Sequence, residues 1–303
     1  MGTSSSSKGP GGGVPLIPPW VPPAPPQNPP APPQQPAPAP GGPPSQPKPS
    51  TPPSQPAPGQ PAQVAAPQPA PARPPAGPKA PPRRFAGARQ SLGRFAKTGS
   101  QGDLGRALGH YTRTGLGGAG RAAGRMNRTA QRAGQLYGVL DALRTGTPTP
   151  VDLGVSVATL TGLPARDVAD RVANALHPPD GTQDAEAGRD AMARALADVQ
   201  NAAPAADLTS PTPEQIGVII ERYVAYDLCN RIELDIGQAV LDKAPSYAEG
   251  MRRLEQIERY VREKVSAQFR SREDQGQRLT RQSAEGLSRG VIEDTFEVFE
   301  EYV

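Results

Sequence analysis

The most reactive position the sequence offers is Gly2. In Met1-Gly2-Thr3-Ser4-Ser5-Ser6 the initiator Met precedes a small residue and is expected to be removed, exposing a glycine α-amine. With a pKa of ~7.7 to 8.0, about a tenth or more of that amine is the neutral nucleophile at pH 7, against less than about one in a thousand for a lysine. The same residues fit the N-myristoylation pattern, but a chain so rich in Ala, Arg, Gly and Pro looks like the product of a GC-rich bacterial gene, where that pathway is not expected. An unhindered Gly2 amine is therefore read as an acceptor for some other covalent modification.

The remaining candidates for chemistry are weaker. Gly115-Leu116-Gly117-Gly118-Ala119-Gly120 matches the dinucleotide fingerprint, but that fingerprint needs a buried strand just upstream. Leu108 to Thr114 does not read as one, so a flexible glycine hinge is expected instead. His110 and His177 have no Cys partner at metal spacing, and Cys229 lies in an apolar stretch without a basic neighbour to activate it. Asp180, Asp184 and Glu186 could be imagined around a hard cation, yet acids in a first helical turn after Thr182 are what a capped helix start requires. No catalytic, cofactor-binding or metal-binding residue is expected, and so no enzyme and no cofactor.

Arginines are the last chemical group. Arg83, Arg84, Arg89, Arg94, Arg106, Arg113, Arg121, Arg125 and Arg128, with Lys97 and Arg132, are interleaved with Phe85, Phe95 and Tyr111. Such a basic patch suits a phosphate backbone, an acidic partner protein, or the acidic remainder of this chain.

The elements that must position these residues divide the 303-residue chain by composition. Residues 1–82 hold 32 of the 41 prolines and only seven apolar side chains other than alanine. Such a segment cannot bury enough surface to offset its ordering entropy and is expected to be a disordered arm. Within it, Leu16, Ile17, Trp20 and Val21 form an apolar spot that reads as a docking segment for a partner groove. Charge is segregated too. Residues 1–82 carry four basic side chains and no acid, residues 83–132 eleven basic against Asp103 alone, and residues 133–303 eighteen basic against twenty-eight acidic. A basic neck, residues 83–145, thus joins the arm to an acidic body, residues 146–303. A lone cysteine and the lack of an 18-residue apolar run point to a cytoplasmic protein without membrane contact.

From residue 83 onward the apolar period is helical. Phe85, Ala88, Leu92 and Phe95 start it, and the glycines of the neck weaken its helices by up to ~1 kcal/mol each. Thr182 is expected to open a helix to about Asn201. Thr212-Pro213-Glu214-Gln215 and Ser246-Tyr247-Ala248-Glu249 read as capping boxes. The helix after Thr212 is apolar nearly all round and should be central. The next presents Tyr247, Met251, Leu254, Val261, Val265 and Phe269 as a stripe, and the last Leu287, Val291, Ile292, Phe296, Phe299 and Tyr302. The fold class is all-α, a helical bundle with three long C-terminal helices after a disordered Pro-rich arm.

Several idiosyncratic stretches carry a family resemblance: the opening Met1 to Ser6, the run Gly9 to Val21, Arg84-Phe85-Ala86-Gly87-Ala88-Arg89, Leu108-Gly109-His110-Tyr111, Asp180 to Glu186, Glu233-Leu234-Asp235-Ile236-Gly237 and Asp242 to Ser246. The chain resembles the QatB family of the bacterial Qat anti-phage defence system. The resemblance implies a non-catalytic subunit encoded beside a QatA-like P-loop ATPase, a QueC-like deazaguanine-synthase relative (QatC) and a TatD-like metal-dependent nuclease (QatD). By analogy with related defence operons it implies Gly2 as the site of deazaguanine attachment, with Thr3, Ser4, Ser5 and Ser6 as the recognition sequence. The competing function is a nucleic-acid-binding adaptor that senses phage DNA through the neck arginines.

Overall fold

A computed structural model of the chain describes residues 83–149, 154–203 and 207–303. Gly2, Thr3 to Ser6 and the Leu16 to Val21 segment lie outside the described residues. Within them the chain is helical, with no strand: α1 Ala86–Thr98, α2 Gln101–His110, α3 Ala119–Arg125, α4 Asn127–Thr145, α5 Val157–Leu160, α6 Ala165–Leu176, α7 Gln183–Ala202, α8 Pro213–Ile232, α9 Gln238–Leu241, α10 Tyr247–Asp274 and α11 Ala284–Glu300. Two π-helical turns, Tyr111–Leu116 and Glu233–Gly237, extend α2 and α8. No described helix is long and apolar enough to cross a membrane.

Local signals set the helix starts. Ser100, Thr182 and Thr212 each accept a hydrogen bond from the backbone N–H three residues on, filling donors that a helix N-terminus otherwise leaves open. Thr212 and Gln215 complete a reciprocal capping box with Pro213 at the first helical position. Thr212→Ala should therefore cost about 1 kcal/mol, read as a fall of ~2 to 4 °C in the melting temperature of the full chain. At Ser246 only half of the expected box forms. The Glu249 backbone donates to Ser246 at 3.2 Å, but its carboxylate turns to Arg252 and, at 2.6 Å, to Arg253. Full guanidinium charges one turn along outcompete a single N–H.

α8 is central, as its all-round apolar surface requires: Ile216, Ile219, Ile220, Tyr223, Val224, Leu228 and Cys229 are buried. It packs against α7, α10 and α4, while α11 packs against α4, α3 and α10. One apolar cluster runs from Phe85 to Phe299. The helices of residues 83–145 therefore share their core with residues 160–299, and the glycine-weakened neck is held by α9 and α11. Burial of each large apolar side chain contributes about 1.5 to 3 kcal/mol, enough to offset the propensity deficit of one or two glycines.

Two expectations need correction. The stripe of α10 begins later than its periodicity suggests: Tyr247 is 72% and Met251 39% exposed, and the buried positions are Ile257, Val261, Val265 and Phe269. The first turns of α10 pack on α9 and α1 through the buried Gly250 and through Arg253, which lies over Phe95, so Tyr247 and Met251 stay on the outer side. The glycine stretch after α2, expected as a flexible hinge, closes a hydrogen-bonded turn. Gly117 (φ 86°) and Gly118 (φ 103°) take left-handed conformations that close the turn, with the Gly118 N–H on the Thr112 carbonyl at 3.0 Å.

Candidate functional site

Four of the idiosyncratic stretches meet in space. The Phe85 ring stacks on Tyr111 at 5.4 Å, and Arg84 and Arg89 lie over Phe85 at 4.4 and 5.9 Å. The fully buried Tyr111 donates its hydroxyl to Asp235 Oδ2 at 2.9 Å. Arg89 donates to the Asp235 carbonyl at 2.9 Å. Arg231 bridges Asp235 at 3.6 Å and Asp184 at 2.5 Å. Tyr111 and Asp235 both sit in the π-helical turns, a distortion that is frequent at functional sites because it re-aims side chains out of the helical register. Burial, then the Asp235 carboxylate, push the Tyr111 hydroxyl well above its ordinary pKa, so it remains a donor.

Two members of this network, Arg231 and Asp184, also line a cleft of about 160 Å³ between α3, α4, α7 and α8. Arg125, Arg128 and Arg132 line it from α3 and α4, Arg231 and Asp227 from α8, Asp180 and Asp184 from the α7 start, and His177 from the end of α6. Thr129 donates to Asp227 Oδ2 at 2.5 Å, and His177 Nε2 shares a hydrogen bond of 3.0 Å with the buried Tyr223 hydroxyl. Burial pushes the Asp227 carboxyl up to about 6. Burial, followed by the positive charges of Arg132 and Arg189, lowers His177 to about 4, so the imidazole is neutral at physiological pH. A Cβ on Gly188 would meet the His177 ring at 2.4 Å, so glycine is what lets the imidazole lie against α7.

The arginines of the expected basic patch fall into three groups by what they touch. Arg84 and Arg89 belong to the Phe85 stack, with Arg83 just before it in sequence. Arg94 and Arg106 flank Asp103 at 3.1 and 3.8 Å, and Arg113 donates to the Val303 main-chain oxygen at 2.5 Å. Arg121, Arg125 and Arg128 are exposed and have no ion pair or hydrogen bond among the described residues. Lys97, Arg83, Arg89, Arg94, Arg106 and Arg113 are likewise exposed. Around Asp180 to Glu186 the structure shows a capped helix start: Thr182 accepts from the Ala185 N–H at 3.2 Å and donates to Asp180 at 2.6 Å.

The cleft and the adjoining network lie largely within a region recognised by one family model. The model for QatB, Qat anti-phage system associated protein QatB, matches residues 117–299. The chain belongs to the QatB family. Membership gives it a role in the Qat anti-phage system, with the other components of that system as its setting. No curated protein and no solved structure matches the chain. The matched span of this QatB-family chain holds every residue named above as lining the cleft, whereas Phe85, Arg89 and Tyr111 precede it. Sequence reasoning did not single out Asp227, Thr129, Arg231 or the functional placement of His177. The signal was present in one of them: Asp227 is a carboxylate inside the largely apolar central helix, and such a residue must be partnered or poised for use.

Proposed function

We propose that this QatB-family chain is a non-enzymatic subunit of the Qat defence assembly that binds the P-loop ATPase component and presents Gly2 for covalent modification. The observation that carries this reading is the match over residues 117–299, joined to the segregation of charge and proline along the sequence. The helical part serves as the anchor on the ATPase. The Pro-rich residues 1–82 serve as the arm, with Leu16, Ile17, Trp20 and Val21 as its docking segment for a partner groove. A deazaguanine-synthase relative is the modifying enzyme. It acts on the Gly2 amine with Thr3, Ser4, Ser5 and Ser6 as its recognition sequence.

Affinity purification of the full chain co-produced with the other Qat components tests the anchoring half. The ATPase is expected to be retained through moderate salt, and its absence from the purified material would overturn the reading. A second reading has its own support: among the described residues Arg121, Arg125 and Arg128 have no ion pair or hydrogen bond, as contacts to a nucleic-acid backbone would require. A mobility-shift titration with double-stranded DNA decides it. A salt-dependent shift by the isolated protein favours the adaptor, and no shift at micromolar protein favours the scaffold.

A further inference from the structure

We infer that the cleft between α3, α4, α7 and α8 is a binding site for a small phosphate monoester, with Arg125, Arg128 and Arg132 holding the phosphate and Asp180 and Asp184 facing hydrogen-bond donors on the rest of the ligand. This site is independent of the Gly2 reading and of the anchoring on the ATPase.

The first argument is the state of the arginines. Residues 133–303 carry ten more acidic than basic side chains, yet among the described residues Arg125 and Arg128, which line the cleft, have no carboxylate within ion-pair distance, although the charge of Arg128 reaches Asp180. Arg132 uses one Nη on Gln135 Oε1 at 2.7 Å and keeps the remainder of its fork. Arg128 and Arg132 are four residues apart on α4, so they project from one face of that helix. Arg121 and Arg125 stand at the same spacing on α3 and continue the row outward. Planar guanidinium groups converging on one space match the oxygens of a phosphate, which they bind in bidentate fashion.

The second argument is the floor. The cleft is about 160 Å³, well above the ~10 to 15 Å³ that one water requires, so it admits several waters or a phosphate and the first atoms of its ester. Its base is polar: the Asp227 carboxylate held by Thr129, and the His177 imidazole held by the buried Tyr223 hydroxyl. A desolvated carboxylate at the base of a cavity destabilises the fold unless it is used, which is why such groups cluster at binding sites. Here it holds the Thr129 hydroxyl on the α4 side of the cleft.

The third argument is rigidity. The opposite rim is fixed by Asp184, Arg231, Asp235 and Tyr111, whose hydrogen bonds and ion pairs tie α7, α8 and the turn after α2 together. A preorganised rim lowers the ordering penalty on binding. Arg231 is occupied by its two carboxylates, so the phosphate falls to the three arginines on the other side. Asp180 and Asp184, each with a carboxylate oxygen left over, are acceptors for N–H or O–H groups of the esterified moiety.

Isothermal titration of the full chain at low salt with inorganic phosphate and with adenosine monophosphate tests the inference. Both should bind, the nucleotide more tightly because it reaches the acidic rim. The double variant Arg125→Ala/Arg128→Ala should lose at least tenfold in affinity for both. Arg106→Ala, an exposed arginine paired with Asp103 away from the cleft, should leave both unchanged. Far-ultraviolet circular dichroism establishes that the variants remain folded. Two results would overturn the inference: no heat for either ligand at millimolar concentration, or an equal loss in the Arg106→Ala protein, which would mark the binding as general surface attraction. A nucleotide that binds no better than inorganic phosphate would remove the assignment of Asp180 and Asp184.

Discussion

Tyr111→Ala is expected to lower the stability of the full chain by about 4 kcal/mol, and Tyr111→Phe by only ~1 to 2 kcal/mol. The alanine variant leaves a cavity where a fully buried ring stacked on Phe85, a class of change that costs about 3 to 5 kcal/mol. It also strips a donor from Asp235. The phenylalanine variant keeps the ring and removes only the hydroxyl bond of 2.9 Å. Asp235 retains Arg231 in that variant, which holds the loss toward the low end of the range for hydrogen bonds to charged groups. Since domains of this size are stable by ~5 to 15 kcal/mol, the alanine protein should unfold at least ~8 °C below the parent in a thermal melt. If both variants lost the same amount, the hydroxyl rather than the ring would be the main contributor, and the stacked pair would not be holding the α1 and α2 ends to α8.

The second large effect has the opposite sign. Asp227→Asn should stabilise the chain at pH 7 to 8 by about 1 to 3 kcal/mol, at ~1.4 kcal/mol per unit of pKa displacement. The folded-state carboxyl is raised to about 6 by burial, so between its unfolded value and 6 the folded chain binds the extra proton. Stability from this group is therefore lost as pH rises through that window, and the ionised carboxylate weighs against the fold above it. Asparagine cannot ionise and still accepts from Thr129. The gap between variant and parent should close below about pH 4 and open fully above 6. Glu233, also raised by burial, to about 7, and His177, lowered by burial to about 4, titrate in both proteins and cancel in the comparison. Urea titrations at pH 4, 6 and 8 supply the measurement. A variant less stable than the parent at pH 8 would show that the Asp227 charge is well compensated and that the cleft floor is not an electrostatic liability.

Much of the fold was legible because it rests on local signals. Thr212, Pro213 and Gln215 announce the central helix, Thr182 announces α7, and the apolar spacing of α11 predicts its buried face. The start of α10 misled because the face that meets α9 and α1 there carries the small Gly250 and the guanidinium of Arg253, which apolar spacing does not report, and Tyr247 and Met251 are left exposed. The cleft was less legible. Arg125, Arg128, Asp180 and Asp184 were visible as charges, but each had a sufficient local explanation in a basic neck or a capped helix. Only tertiary packing brings α3 and α4 against the start of α7 and the end of α8, and only then do Asp227 and His177 face the arginines. The π-helical turns at Tyr111 and Asp235 were hidden for the same reason, since one inserted residue in a helix leaves almost no trace in hydrophobic spacing.

The account depends most on Gly2 being the chemically used end of the chain. Intact-mass spectrometry of the full chain purified after co-production with all other Qat components addresses it directly. The expected result is a species heavier than the Met-cleaved polypeptide, with the increment assigned to Gly2 by fragmentation and lost when the synthase-like component is left out. A single mass equal to the Met-cleaved chain, in material that still carries its Qat partners, would contradict the account.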